Sequence, residues 1–113
     1  MVLWEVAVCD SETAYLKKAR RIMKAYASEH DINLSVRVYD DSDALLTDIQ
    51  DNKIWPTIIF IDEEMYGESK IEVVKKINQM MSACKIVYLT RDFKYITDIY
   101  QTEHFYLIQK DEL

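Results

Sequence analysis

One glycine and one proline among 113 residues leave little of the usual turn chemistry, in which glycine supplies positive φ and proline presets a bend. Their scarcity predicts regular elements joined by short turns and argues against a loop-rich sandwich. Long apolar runs are missing too: none approaches the roughly 20 residues of a membrane-spanning helix. The opening MVLWEVAVCD has no basic start and carries Glu5 inside its apolar run, so it does not read as a secretory leader. The closing Lys-Asp-Glu-Leu would be a retention address only behind such a leader, and it reads as coincidence. Of the two cysteines, Cys9 lies in VAVCD and Cys84 in SACKIVYL, contexts that predict buried, reduced thiols and a cytoplasmic chain. A basic excess is absent: the formal net charge is −6, which disfavours gripping a nucleic-acid backbone. After the first apolar run, CDSETAYL offers no glycine, so a phosphate-cradling loop of a small nucleotide-binding enzyme is disfavoured.

What is present is an ordinary globular composition, 50% hydrophobic and 30% charged, of a length that suits one domain with one core. Apolar periodicity predicts strands at 3–9, 34–40, 57–61, 85–90 and 105–109. It predicts helices at 11–29, 43–50, 68–81 and 92–102. Asp41 or Ser42 is the expected N-cap of the second helix. The buried stripe of the first helix is expected at Ala14, Tyr15, Ala19, Ile22, Met23 and Tyr26, and that of the third at Ile71, Val74, Ile77 and Met81. Strict βαβ alternation implies an α/β fold with a parallel sheet and helices on both faces.

Such a sheet gathers the C-terminal ends of its strands on one edge, where ligands bind in open sheets of this class. The residues delivered there are Asp10, Asp40, Asp62, Thr90 and Lys110. Singly, each has a plain explanation: an N-cap for Asp10 or Asp62, a strand-end hydroxyl for Thr90, a surface charge for Lys110. Glu63 and Glu64, in IIFIDEEMYG, read as solvated acids of a first helical turn. Together they suggest more. Two carboxylates on adjacent strand ends repel unless a cation sits between them, and hard oxygen donors suit Mg²⁺. A carboxylate beside that ion is a nucleophile toward phosphorus, while a lysine and a threonine hydroxyl offset phosphoryl oxygens. These are the parts of an aspartyl-phosphate switch.

With those residues in hand, the chain resembles the receiver domain of two-component response regulators over nearly its whole length. VAVCDSE is similar to the family's first strand with its acids, TIIFIDEEMYG to the phosphoacceptor strand and its turn, and IVYLT and LIQKDEL to the threonine and lysine strands. The resemblance implies a flavodoxin-like (βα)5 fold with five parallel strands in the order 2-1-3-4-5. It implies Asp62 as phosphoacceptor, Thr90 as switch hydroxyl and Lys110 as the phosphate-contacting lysine, chosen over Gln109 as the only cation available there. Mg²⁺ is the implied cofactor, held by Asp10, Asp62 and the backbone carbonyl of Glu64, with Ser11 or Glu12 as the further candidates. Ser11 stands where the family places a second acid, so weakened Mg²⁺ binding is expected. Tyr66, Lys70, Arg91 and Leu107 also depart from the family's pattern.

The style of the last third is most similar to receivers of LytTR-type regulators. The implied partners are a sensor histidine kinase and a second copy of the chain through residues 92–109, with no nucleic acid touched by this domain and no membrane. The implied role is control of an output domain, DNA-binding in a transcriptional regulator, with no enzymatic activity beyond the domain's own phosphorylation and dephosphorylation. Residues 1–113 form one receiver domain in this reading. Its fifth helix is missing, so the natural chain is expected to continue. The rival expectation, motivated by Ser11, Arg91 and Leu107, is a pseudo-receiver: an interaction module indifferent to phosphate.

Overall fold

Five strands alternate with helices along the chain and assemble into one parallel sheet in a computed structural model that describes residues 3–112. In chain order the elements are β1 (Trp4–Cys9), α1 (Thr13–Glu29), β2 (Leu34–Tyr39), α2 (Ser42–Gln50) and β3 (Ile58–Asp62). A two-stranded antiparallel ladder follows, β4 (Glu64–Met65) with β5 (Glu68–Ser69), then α3 (Ile71–Met80), β6 (Lys85–Thr90) and β7 (Tyr106–Gln109). The main sheet has the order β2-β1-β3-β6-β7; with the small ladder set aside, that is 2-1-3-4-5, the flavodoxin-like receiver order. Among the described residues no helix is long and apolar enough to cross a membrane.

The strands pair in parallel, with Val8 opposite Val38 and Phe60, Asp62 opposite Leu89, and Thr90 opposite Gln109. Because side chains alternate across a strand, this register sorts the apolar residues into two cores. Ala7, Cys9, Ile59, Ile61, Ile86 and Tyr88 pack under α2 and α3 with Leu45, Val74 and Ile77. Val6, Val8 and Leu89 pack under α1 with Leu16 and Ala19. Each fully buried aliphatic side chain contributes about 1.5–3 kcal/mol. On the α1 side Phe60 and Ile108 are only partly covered, and Tyr106 is 61% exposed.

Local chemistry sets the element ends. Asp41 caps α2 by accepting from the Asp43 amide at 3.0 Å, one of the two candidates the sequence offered. Tyr39 donates to Asp48 Oδ2 at 2.8 Å, tying β2 to α2. The third helix starts at Ile71 rather than at 68. Tyr66 and Gly67 both take positive φ, 54° and 77°, and two consecutive left-handed residues close a tight antiparallel hairpin. The stripe Ile71, Val74, Ile77 and Met81 is buried as expected. In α1 the expectation needs correction: Ala14 lies exposed, Ile22 is 40% and Tyr26 57% exposed, and Leu16 and Ala27 are buried instead.

The largest correction concerns 92–102, which forms no α-helix. Phe93 sits at φ 58°, a left-handed conformation that a right-handed helix does not admit. Turns follow, and only Asp98–Gln101 closes as a 3-10 helix. Ile99 is buried there, but Ile96 and Tyr100 are exposed. Tyr88 and Thr102 hydroxyls meet at 2.7 Å, and Thr102 also donates to the Ile99 carbonyl at 2.6 Å, so this crossover is held by side-chain bonds as well as backbone turns.

Candidate functional site

The β1, β3 and β7 termini bring three chemical groups onto one face. Asp10 is two residues beyond Val8, which pairs with Phe60; Asp62 is two beyond Phe60. Lys110 is two beyond Ile108, the partner of Leu89, which pairs with Asp62. Alternation therefore points Asp10, Asp62 and Lys110 to the same side of the sheet. All three are buried, at 0%, 9% and 3% exposure.

Lys110 Nζ is the hub. It lies 2.8 Å from Asp10 Oδ2, donates to Asp62 Oδ2 at 3.1 Å, and donates to Glu12 Oε2. The Asp10 contact is a buried ion pair. Lys110 also stands 4.7 Å above the ring of Tyr15. Burial opposes its charge, but the carboxylates of Asp10 and Glu12 outweigh that penalty and hold its pKa above the ordinary lysine value.

The backbone completes the carboxylates' contacts. The Glu12 amide donates to Asp10 Oδ1 at 2.8 Å and the Glu64 amide to Asp62 Oδ1 at 3.0 Å. Burial pushes the Asp62 carboxyl above its usual range, against the Glu64 amide and Lys110 and with the help of Asp10. Glu12 goes the other way: hydrogen bonds from Lys110 and Arg91 lower it. Arg91 donates to Glu12 Oε1 at 2.5 Å across the mouth. A cleft of about 220 Å³ opens here, lined by Ser11, Glu12, Asp62, Glu63, Glu64, Tyr66, Arg91 and Asp92.

Carboxylate oxygens of Asp10, Glu12 and Asp62 lie within 4.8 Å of one another. An all-oxygen set of three carboxylates fits a hard divalent cation. Glu12, one residue beyond the serine, thus reaches the cluster with a carboxylate, while Ser11 lines the cleft half-buried.

Thr90 ends β6 at the same sheet edge but faces away from the cleft. It is fully buried, its register places it on the opposite face from Asp62, and it is absent from the cleft wall. Its hydroxyl donates to Glu63 Oε1 at 2.6 Å and accepts from the Phe93 amide at 2.8 Å. Glu63, expected to be solvated, is 2% exposed, and its Oε2 has no partner among the described residues. The cause is the ladder: the Glu63 amide donates to the Leu89 carbonyl at 3.0 Å, so strand alternation continues one residue past Asp62 and turns Glu63 inward. Asp40 is exposed and outside the cluster, its carbonyl accepting from the Tyr66 hydroxyl at 2.9 Å. Glu64 is half-buried, with its carboxylate 2.9 Å from Lys94.

Sequence reasoning missed Tyr15 as a neighbour of the lysine and Glu63 as a buried acid. Counting alternation through 58–63 was the available signal for the second.

No protein-family model matches the sequence, and no curated protein is detectably similar to it in sequence. Solved structures are similar in fold. The N-terminal domain of a response regulator/sensory box/GGDEF three-domain protein from Carboxydothermus hydrogenoformans superposes with a TM-score of 0.78 at 16% identity, over 94% of this chain and 81% of that one. The isolated REC domain of RcsB from Salmonella enterica serovar Typhimurium, determined with the phosphomimetic BeF3−, gives 0.80 at 17% identity over 97% and 79%. The signal receiver domain of an HD domain-containing protein from Pseudomonas fluorescens Pf-5 gives 0.80 at 14% over 97% and 84%. At these identities the likeness establishes the receiver fold. It gives no support to the LytTR-type likeness of the last third.

Proposed function

We propose that this chain is a phosphoacceptor receiver domain, in which Asp62 takes a phosphoryl group from a sensor histidine kinase in the cytoplasm and thereby controls an output domain. The observation that carries the reading is the convergence of Asp10, Glu12, Asp62 and Lys110 at the C-terminal sheet edge of a receiver fold. The neighbouring RcsB structure, determined with a phosphoryl mimic, lends the proposal chemical direction.

Asp62 supplies the nucleophilic carboxylate oxygen. It attacks phosphorus, and the bond from phosphorus to the donor's nitrogen breaks with its electron pair returning to the imidazole. The Glu64 amide orients the carboxylate through Oδ1, and Lys110 offers its ammonium beside Oδ2. Asp10, Glu12 and Asp62, with the Glu64 carbonyl, would hold Mg²⁺, which neutralises phosphoryl oxygens when bound. Thr90 would reorient toward the phosphoryl group and carry the change into residues 91–105. A homodimer through 92–109, where Phe93, Ile96, Tyr100, Phe105 and Tyr106 are exposed, and control of transcription complete the proposal.

The test is beryllofluoride or a small phosphodonor with Mg²⁺, followed by the amide spectrum of the intact chain. Spectral change in the wild type that Asp62→Asn abolishes is the expected outcome; no change in the wild type overturns the reading. One observation favours the pseudo-receiver instead: Lys110 already compensates the acids internally. Calorimetry separates the two, because the absence of Mg²⁺ binding at millimolar concentration supports the interaction module.

A further inference from the structure

We propose that Glu63 is a latch on Thr90, a positioning residue that holds the threonine hydroxyl away from Asp62 and so sets how readily the domain adopts its phosphorylated form. The inference rests on the phosphoacceptor reading and deepens it, naming a regulator of that site outside the carboxylate–lysine cluster.

Three observations carry it. First, the single proton of the Thr90 hydroxyl is taken: it goes to Glu63 Oε1 at 2.6 Å, while the oxygen accepts from the Phe93 amide at 2.8 Å. Second, Glu63 is a carboxylate at 2% exposure with Oε2 unpartnered. Buried polar atoms are nearly always satisfied, and a carboxylate kept inside with an oxygen unbonded is costly. Thr90 is the one side chain that hydrogen-bonds it among the described residues, since the nearby Tyr88 hydroxyl is engaged with Thr102. Third, the latch is wired to a segment that has two exposed ends of its own. Phe93 is left-handed at φ 58° and hangs its amide on the same hydroxyl, so freeing Thr90 also frees the start of 91–105.

The consequence is a competition. Thr90 points to the face of the sheet opposite Asp62, and its proton leaves Glu63 before it can be donated to a phosphoryl oxygen, with the Phe93 amide drawn along by the moving oxygen. A hydroxyl-to-carboxylate bond biases two such positions by about tenfold or more. Glu63 thus keeps the unmodified state populated, and the domain responds only when Asp62 carries the group that outbids it.

The experiment measures beryllofluoride affinity with Mg²⁺ by calorimetry for the wild type, Glu63→Gln and Glu63→Met, each with and without Thr90→Val. Removing the charge is expected to tighten binding by about tenfold, and the gain disappears when Thr90 lacks its hydroxyl. A wild-type measurement covers failure of the variants to fold: the Phe93 amide resonance is expected to shift on beryllofluoride binding, because its acceptor moves. Unchanged or weaker binding in both Glu63 variants, an equal gain in the Thr90→Val background, or a stationary Phe93 amide beside a shifting Glu64 amide overturns the latch alone. Binding by the Glu63 variants but not the wild type supports it. Absence of binding in every chain overturns the phosphoacceptor reading, and the latch with it.

Discussion

Lys110 Nζ stands 2.8 Å from Asp10 Oδ2, both groups withdrawn almost wholly from solvent, although one residue follows the last strand and the other the first. The pair is the electrostatic centre of the site. Attraction between them opposes the repulsion of three neighbouring carboxylates, so the internal cation does in this state what a bound metal would do in another.

Lys110→Met is therefore expected to destabilise the chain by about 3 kcal/mol, the usual loss when a buried ion loses its partner. Urea denaturation measures it. Millimolar Mg²⁺ is expected to raise the variant's midpoint more than the wild type's, because the acids then lack their own cation. Equal shifts in the two proteins count against a metal site at Asp10, Glu12 and Asp62.

Asp62→Asn is expected to stabilise the chain at neutral pH, because burial disfavours the charged carboxylate and Lys110 keeps Asp10 and Glu12 as partners. The pH dependence has a definite sign. Burial raises the folded-state pKa of Asp62 above its ordinary 3.8, so the folded chain binds that proton more tightly than the unfolded one. The penalty is full above the raised pKa and disappears as pH falls below the ordinary value. The stability gap between variant and wild type is thus expected to close on acidification. Glu12, which is shifted downward, acts oppositely, losing its stabilising contribution as pH falls in both proteins.

Two isoleucines separate pattern from packing. Ile59 is fully buried in the sheet centre and Ile22 is 40% exposed on α1. Ile59→Ala is expected to cost about 3 kcal/mol through lost burial and a cavity. Ile22→Ala is expected to stay within about 0.5 kcal/mol. Denaturation midpoints decide, and comparable losses would contradict the burial assigned to α1.

Neither thiol is expected to react in the folded chain. Burial, aided by Asp10, pushes Cys9 up to about 12, and burial pushes Cys84 up to about 11. Thiolate is the reactive form, so labelling by a disulfide reagent at pH 8 is expected to be slow for both until denaturant exposes them. Rapid labelling of either in native buffer would contradict the packing.

Much of this molecule was readable from local pattern. Val6, Val8, Ile59, Ile61, Ile86 and Tyr88 lie in short β-forming runs, and short runs with period-2 or wholly apolar character have few other uses. The stripe Ile71, Val74, Ile77 and Met81 was legible for the same reason, since spacing alone decides which residues share a helix face. The strand-end acids followed from the alternation of elements. The 92–102 segment was not legible: its aromatic and aliphatic spacing mimics a helix, while a side-chain bond from outside the segment, the Thr90 hydroxyl at the Phe93 amide, holds a left-handed turn that spacing does not encode.

By itself, then, the sequence determined the five strands of the main sheet and the first three helices between them, the parallel sheet they imply, and the delivery of Asp10, Asp62, Thr90 and Lys110 to one edge. These depend on period and chirality, which are local. Tertiary structure decided which acids are buried and which hydroxyl faces which carboxylate. One further ladder bond, from the Glu63 amide to the Leu89 carbonyl, carried strand alternation past Asp62. It turned Glu63 inward to Thr90. Pairing across the sheet is a relation between residues far apart in the chain, and a one-residue difference in where it ends reverses the direction of a side chain.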